Sequence, residues 1–223
     1  MYKRIINLIG KEYFNKIKNT KILLVGVGGV GGFAFEALIR SGFQNITIID
    51  GDTVEITNLN RQLVANLDTI GQSKVSIAKL KAKQINKCIN INAIEMILTK
   101  DNINILDKDF DFIIDACDTL NTKLELIRFA EMNNIKIISS MGVGNRIDAS
   151  KIKVTTLDKT NNDPLARKLR KLVKASRLNM KVPVICSEEI PIKKREVNSM
   201  ITSPGISGLL MVNYIINEII NLY

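Results

Sequence analysis

A glycine-rich stretch, Gly26-Val27-Gly28-Gly29-Val30-Gly31-Gly32, follows the apolar run at 21–25, and Asp50 closes the next apolar run. Glycines between a strand and a helix offer bare backbone N–H groups and a positive helix end, which suit a phosphate. A carboxylate at the tip of the second strand suits a ribose hydroxyl. Gly26, Gly28, Gly29, Gly31 and Asp50 are therefore candidate nucleotide ligands. The block from Asp50 to Gln62, which also holds Asp52 and Asn58, and then Gly71-Gln72-Ser73-Lys74 place Arg61 and Lys74 just beyond that carboxylate. A dinucleotide's pyrophosphate, already held by a helix N-terminus, needs no such pair of cations. A triphosphate does. Arginine offers a bidentate fork, and lysine a point charge that can follow the α-phosphate as charge builds there.

Asp115-Ala116-Cys117-Asp118 closes a further apolar run. A carboxylate at a strand's carboxyl end lies beside the phosphates and suits magnesium. Asp118 is the candidate metal ligand; Asp115 either shares that setting or caps the turn. The chain has no histidine and three scattered cysteines, Cys88, Cys117 and Cys186, without a CxxC pair. This argues against structural zinc and excludes a Ser-His-Asp hydrolase. Acid–base work falls to carboxylates, Lys, Tyr, water or the substrate.

The elements that position these groups read as strands alternating with helices. Strands are expected over 21–25, 46–50, 91–97, 111–115 and 136–140, with helices over 3–19, 30–41, 71–87 and 119–133. This predicts an α/β fold with a mainly parallel, Rossmann-like sheet flanked by helices, and ligands at the strands' carboxyl ends. Beyond Gly144 the reading is a strand over 151–157, a basic helix over 163–175, a mobile loop over 176–204 and a final apolar helix over 206–222. The 223 residues suit a single domain. No apolar run reaches the ~18 residues of a membrane span, and the N-terminus carries no secretory pattern, so a cytoplasmic location is expected.

The net charge of +10 is uneven: residues 151–195 hold thirteen Lys/Arg against four acids, a balance of +9. Such clustering is the footprint of a polyanion partner. Arg167, Lys168, Arg170, Lys171 and Lys174 on the basic helix would form a face for phosphates.

Taken together, GxGGxG after a strand, the Asp-x-Asp-x-Val-x-x-x-Asn-x-x-Arg-Gln block, Gly-x-x-Lys and Asp-x-x-Asp resemble the adenylating enzymes related to ubiquitin-activating enzymes. That family includes the bacterial activators of sulfur-carrier proteins. The resemblance implies ATP and magnesium, with Asp50 on the ribose and Asn58, Arg61 and Lys74 on the phosphates. It also implies Asp118 on the metal, and Arg4 reaching the ATP of a neighbouring subunit in a homodimer. Met1 and Asn7 stand where relatives commonly carry further arginines. The family likeness covers about residues 3–145; residues 1–145 would be the nucleotide-binding core and residues 146–223 a substrate-binding and dimer-supporting extension of the same domain.

The second half, with Lys159-Thr160-x-x-Asp163-Pro164-Leu165-Ala166 and Ser187-Glu188-Glu189-x-Pro191, resembles one branch of the family. That branch is the dehydratases that cyclise threonylcarbamoyladenosine in tRNA. The implied reaction is attack of the threonyl carboxylate on the α-phosphate of ATP, loss of pyrophosphate, and closure of the ureido oxygen on the acyl-adenylate with loss of AMP. Ring closure within one substrate requires little beyond positioning. Cys186 lies about where some adenylating enzymes carry a thioester cysteine, but reads as incidental here; Cys88 and Cys117 read as small apolar fillers. A sulfur-relay protein is a further candidate partner. The other readings are activation of a sulfur-carrier or ubiquitin-like protein's C-terminus, which predicts a Gly-Gly partner and work for Cys186, and a dinucleotide-dependent oxidoreductase, against which Arg61, Lys74 and Asp118 argue.

Overall fold

The structure, a computed structural model, describes residues 1–222. Its centre is a seven-stranded sheet in the order β3-β2-β1-β4-β5-β7-β6. The strands are β1 (Lys21–Val25), β2 (Asn45–Asp50), β3 (Asn90–Glu95), β4 (Phe112–Asp115), β5 (Lys136–Ser140), β6 (Ile152–Thr156) and β7 (Pro183–Ser187). All neighbours run parallel except β6, which pairs antiparallel with β7 through Ile152 opposite Ser187. Central strands buried on both faces read as continuous apolar runs. Ile22, Leu23 and Leu24 are fully buried, each such side chain contributing about 1.5–3 kcal/mol.

The helices are α1 (Lys3–Asn19), α2 (Gly29–Ser41), α3 (Lys74–Ile85), α4 (Leu120–Met132), α5 (Pro164–Ala175) and α6 (Thr202–Ile219). One core holds Ile17 of α1, Leu38 of α2, Ala78 of α3 and Met211 of α6 against Ile22 and Leu24. The other holds Leu126 of α4 and Leu169 of α5 against Leu23 and Val25. Because successive strand residues alternate faces, β1 alone organises both layers.

Three expectations shift. The helix expected from 71 starts at Lys74, because Gly71 takes φ +82° in a turn and Thr53 bridges Ser73. The final helix starts at Thr202, with Pro204 in its first turn, where a missing N–H costs nothing. Residues 183–187 lie inside the expected loop yet form β7, between β5 and β6. Its five residues are too few to show a period, and Pro183 stands at the first strand position, where proline is tolerated. The backbone beyond β7 is tied down: Asn145 accepts from Ile192 N (2.8 Å) and Asn198 N (2.8 Å), and its own N–H donates to Asn198 O at 2.7 Å. Among the described residues no helix is long and apolar enough to cross a membrane.

Candidate active site

The glycine loop turns where β1 ends. Gly26 has φ +90°, and a Cβ there would lie 2.8 Å from Ala116 O; a Cβ on Gly31 would lie 1.8 Å from Gly26 O. Only glycines let α2 pack this closely behind the strand. Gly28, by contrast, is not crowded: the nearest atom, Gln62 Nε2, would lie at ordinary contact distance, 3.8 Å, from a would-be Cβ. No side chain caps α2, so the N–H groups of its first turn, Gly29, Val30 and Gly31, have no helical acceptor, the arrangement that suits an anion.

Asp50 at the tip of β2 locks this loop. Its Oδ2 accepts from Val27 N at 2.6 Å and its Oδ1 from Asp52 N at 2.9 Å. Each oxygen keeps a lone pair for a ribose hydroxyl.

Lys74 opens α3. It is 5% exposed, and its Nζ donates to Asp52 at 2.7 Å. A buried stem thus carries an ammonium to the rim, where an exposed carboxylate holds it. Arg61 Nη1 donates to Thr57 O (2.8 Å) and to Asn60 Oδ1 (3.0 Å), and its Cγ lies 3.5 Å from a would-be Cβ on Gly29. Its Nη2 and Nε remain open to a phosphate. Asn58 is buried and works locally, its Oδ1 accepting from Glu55 N at 3.2 Å within the capping box of the 3-10 turn Ile56–Asn58. Its side-chain amide donates to Thr57 Oγ1 at 3.4 Å.

At the tip of β4, Asp115 is fully buried and caps the turn, its oxygens taken up by neighbours within the fold. It accepts from Cys117 N at 3.3 Å, and both its oxygens accept from Lys123 Nζ at 3.1 Å. Lys123, fully buried on α4, also donates to Ser140 O at 2.7 Å. Sequence reasoning passed over Lys123. Its signal was a lysine on the helix face of Leu126, Ile127 and Ala130, at spacings of three, four and seven. Asp118, three residues on, is exposed, and among the described residues its one hydrogen-bond donor is Thr119 Oγ1, at 3.4 Å.

Arg4 is not brought to this site. Its helix starts just after Tyr2, whose hydroxyl donates to Ile39 O near the far end of α2. The glycine loop sits at the other end, ten residues or ~15 Å of helix away.

The pattern described as the ThiF family matches residues 2–221. The chain belongs to the ThiF family. Among its relatives, the tRNA threonylcarbamoyladenosine dehydratase of Bacillus subtilis is 40% identical over 189 residues, covering 84% of this chain and 74% of that protein. The enzyme of the same name from Escherichia coli is 37% identical over 169 residues, covering 75% of this chain and just under two thirds, 63%, of that protein. A crystal structure of the E. coli tRNA N6-threonylcarbamoyladenosine dehydratase in complex with ATP superposes with a TM-score of 0.94 at 30% identity, over 99% of this chain and 94% of that one.

In this ThiF-family chain the basic segment begins and returns at the sheet's carboxyl edge. Arg167, Lys168, Lys171 and Lys174 are exposed along one face of α5, opposite the buried Ala166, Leu169 and Val173. Arg170 is half-buried, and its Nη1 donates to Thr160 O at 2.7 Å, so it also ties α5 to the preceding loop. Cys186 is buried on β7, and burial pushes its thiol up to about 11. Burial, reinforced by the adjacent Asp115, also raises the Cys117 thiol. Neither is an activated thiolate. Among the described residues no three His, Cys, Asp or Glu side chains cluster as a metal cage.

Proposed function

We propose that this chain uses ATP to dehydrate threonylcarbamoyladenosine in tRNA, through an acyl-adenylate. One observation carries the reading: the glycine loop, Asp50, Arg61, Lys74 and Asp118 gather at the sheet's carboxyl edge, where a segment of net charge +9 begins and ends. The names of the relatives, and the ATP bound in the E. coli structure, support it.

In this reading Asp50 orients the ribose and the first turn of α2 holds phosphate oxygens. Arg61 and Lys74 stabilise charge as the substrate carboxylate displaces pyrophosphate from the α-phosphate. Lys74 leaves Asp52 to do so. The ureido group then closes on the activated carbonyl, AMP departs, and one proton passes to solvent. The chain's positioning of ATP and substrate carries the chemistry, and no protein nucleophile takes part.

A lone exposed carboxylate fits magnesium, which is commonly held by one or two carboxylates together with substrate phosphates. Asp118 would hold it, and the ion would supply charge neutralisation at the phosphates. Arg4, remote from its own glycine loop, serves the site of a second subunit, so the working form is a homodimer. Residues 1–145 form the nucleotide-binding core and 146–223 the substrate-binding, dimer-supporting extension of one domain. The exposed cations of α5 hold tRNA phosphates, and the protein works in the cytoplasm alongside its substrate. A sulfur-relay protein belongs to the same reading, and cyclisation by the purified chain alone would remove it.

The test is to incubate the protein with ATP, magnesium and modified tRNA, digest the RNA and weigh its nucleosides. Loss of one water from threonylcarbamoyladenosine is expected. An unchanged nucleoside, with adenylation of a protein ending in Gly-Gly instead, overturns the reading.

A further inference from the structure

A cavity of about 210 Å³ lies beside the candidate ATP site, lined by Arg146, Ile147, Ile192, Lys194, Asn198 and Met200 among others. We propose that it is the base subsite, which holds the adenine ring of the N6-substituted nucleoside while its anionic arm reaches the α-phosphate. The proposal rests on the dehydratase reading and gives it a place in the fold.

Three observations converge. The first is a short connection to the catalytic rim. Arg61 Nη1 donates to Asn60 Oδ1 at 3.0 Å, and Asn60 Nδ2 donates to Ser199 O, on the cavity wall, at 2.9 Å. Two hydrogen bonds thus separate the arginine placed on phosphate from the cavity. A carboxylate borne on a short arm must start from such a place.

The second is that the walls are built. Arg146 is 4% exposed, and its guanidinium bonds to the carbonyls of Gly142, Gly144, Asn162 and Glu189 and to Asp163. It therefore ties the β5 exit, the start of α5 and the β7 exit into one frame. Glu189 returns the tie, accepting from Ile147 N at 3.1 Å and Asp148 N at 2.9 Å. Asn145, in the left-handed region at φ +57°, carries the bonds that hold the 192–198 backbone at the cavity wall.

The third is the chemistry of the lining. Arg146 is fully engaged, and Asn145 and Asn198 are occupied within the loop, so few polar groups remain to read base edges. The space is faced by Ile147, Ile192 and Met200, exposed by 60%, 43% and 47%. Such apolar walls sandwich a planar ring. Lys194 makes no ion pair or hydrogen bond among the described residues, and Lys193 and Arg195 flank it. These cations suit the phosphates on either side of the base. The volume lies below the ~300–1,000 Å³ of a drug-sized ligand, which suits one base rather than a whole nucleotide.

The test measures binding of free N6-threonylcarbamoyladenosine to the full chain in the presence of a non-hydrolysable ATP analogue. Unmodified adenosine is the control, and analogue affinity reports the fold. Ile192→Trp fills the space, and Met200→Asp places a like charge beside the anionic arm. The expected result is that each variant weakens the nucleoside at least about tenfold while analogue affinity is unchanged. Equal binding by wild type and both variants overturns the subsite and leaves the dehydratase reading standing. Nucleoside binding that the variants abolish, with no turnover of modified tRNA by wild type, keeps the subsite and removes the dehydration. No binding and no turnover by wild type removes both.

Discussion

Lys123 Nζ lies 3.1 Å from each carboxylate oxygen of Asp115, and neither side chain reaches solvent. The pair stands behind the tip of β4, where Asp115 also holds Cys117 N. It thereby sets the turn that presents Asp118. Removing one partner of a buried pair leaves an uncompensated charge and costs about 3–5 kcal/mol. Lys123→Met should therefore lower Tm by roughly 6–20 °C in a domain of this size, measured by calorimetry. Replacing both partners with apolar residues should recover much of that loss.

Lys74 makes a contrasting pair. Its partner Asp52 has a side chain 64% exposed, so water can replace the ammonium. Lys74→Met should change stability by less than ~1 kcal/mol. The same change should lower the rate of pyrophosphate release about 10²- to 10³-fold, as expected when one donor to a developing charge is lost. Single-turnover kinetics beside a melting curve separates the two effects.

The sequence made the nucleotide half legible because its constraints are local. Gly26 must take a positive φ, Gly31 must let Gly26 O approach, and Asp50 must stand one strand away. Such demands leave fixed residue types at fixed spacings. The second half was less legible because its framework is long-range. Arg146 bonds across up to 43 positions to Glu189, and β7 is a five-residue strand with a proline at its start. Nothing in the neighbouring sequence marks either one. Lys123 was overlooked because a lysine among apolar helix positions is read as surface, although here its ammonium completes Asp115.

Cysteine chemistry should follow burial. Cys88 is exposed, whereas Cys186 is buried with its thiol pushed up to about 11. At pH 8.5 the Cys186 thiolate is about two orders of magnitude scarcer than that of a free thiol. Iodoacetamide should label Cys88 first, as read by peptide mass spectrometry, and Cys186→Ala should retain dehydration activity. The raised pKa also has a sign for stability. The unfolded thiol ionises near ~8.5 while the folded one stays neutral up to about 11. This group therefore contributes no pH dependence below ~8.5, and stability falls as pH rises across that window.

Arg4 and Asp118 should complement each other between subunits. Arg4→Ala and Asp118→Ala should each abolish turnover. Mixing them under exchange should restore about a quarter of wild-type activity, because half of the dimers are mixed and each mixed dimer has one intact site. No recovery on mixing, in proteins shown to exchange, would place Arg4 in its own subunit's site or outside catalysis.

The basic face of α5 should appear as salt dependence. Changing Arg167, Lys168, Lys171 and Lys174 together to Ala should flatten the slope of log affinity for tRNA against log salt by up to ~3 to 4, with ATP affinity unchanged. Arg170→Ala should in addition lower Tm, because its guanidinium holds Thr160 O.

The central claim is that an RNA-borne carboxylate triggers adenylation at the glycine loop. Pyrophosphate release from ATP tests it most directly, with three possible triggers: tRNA carrying threonylcarbamoyladenosine, the same tRNA without that group, and a small protein ending in Gly-Gly. The account predicts release with the modified tRNA alone, abolished by Lys74→Met. Release triggered by the small protein and not by the modified tRNA would contradict it.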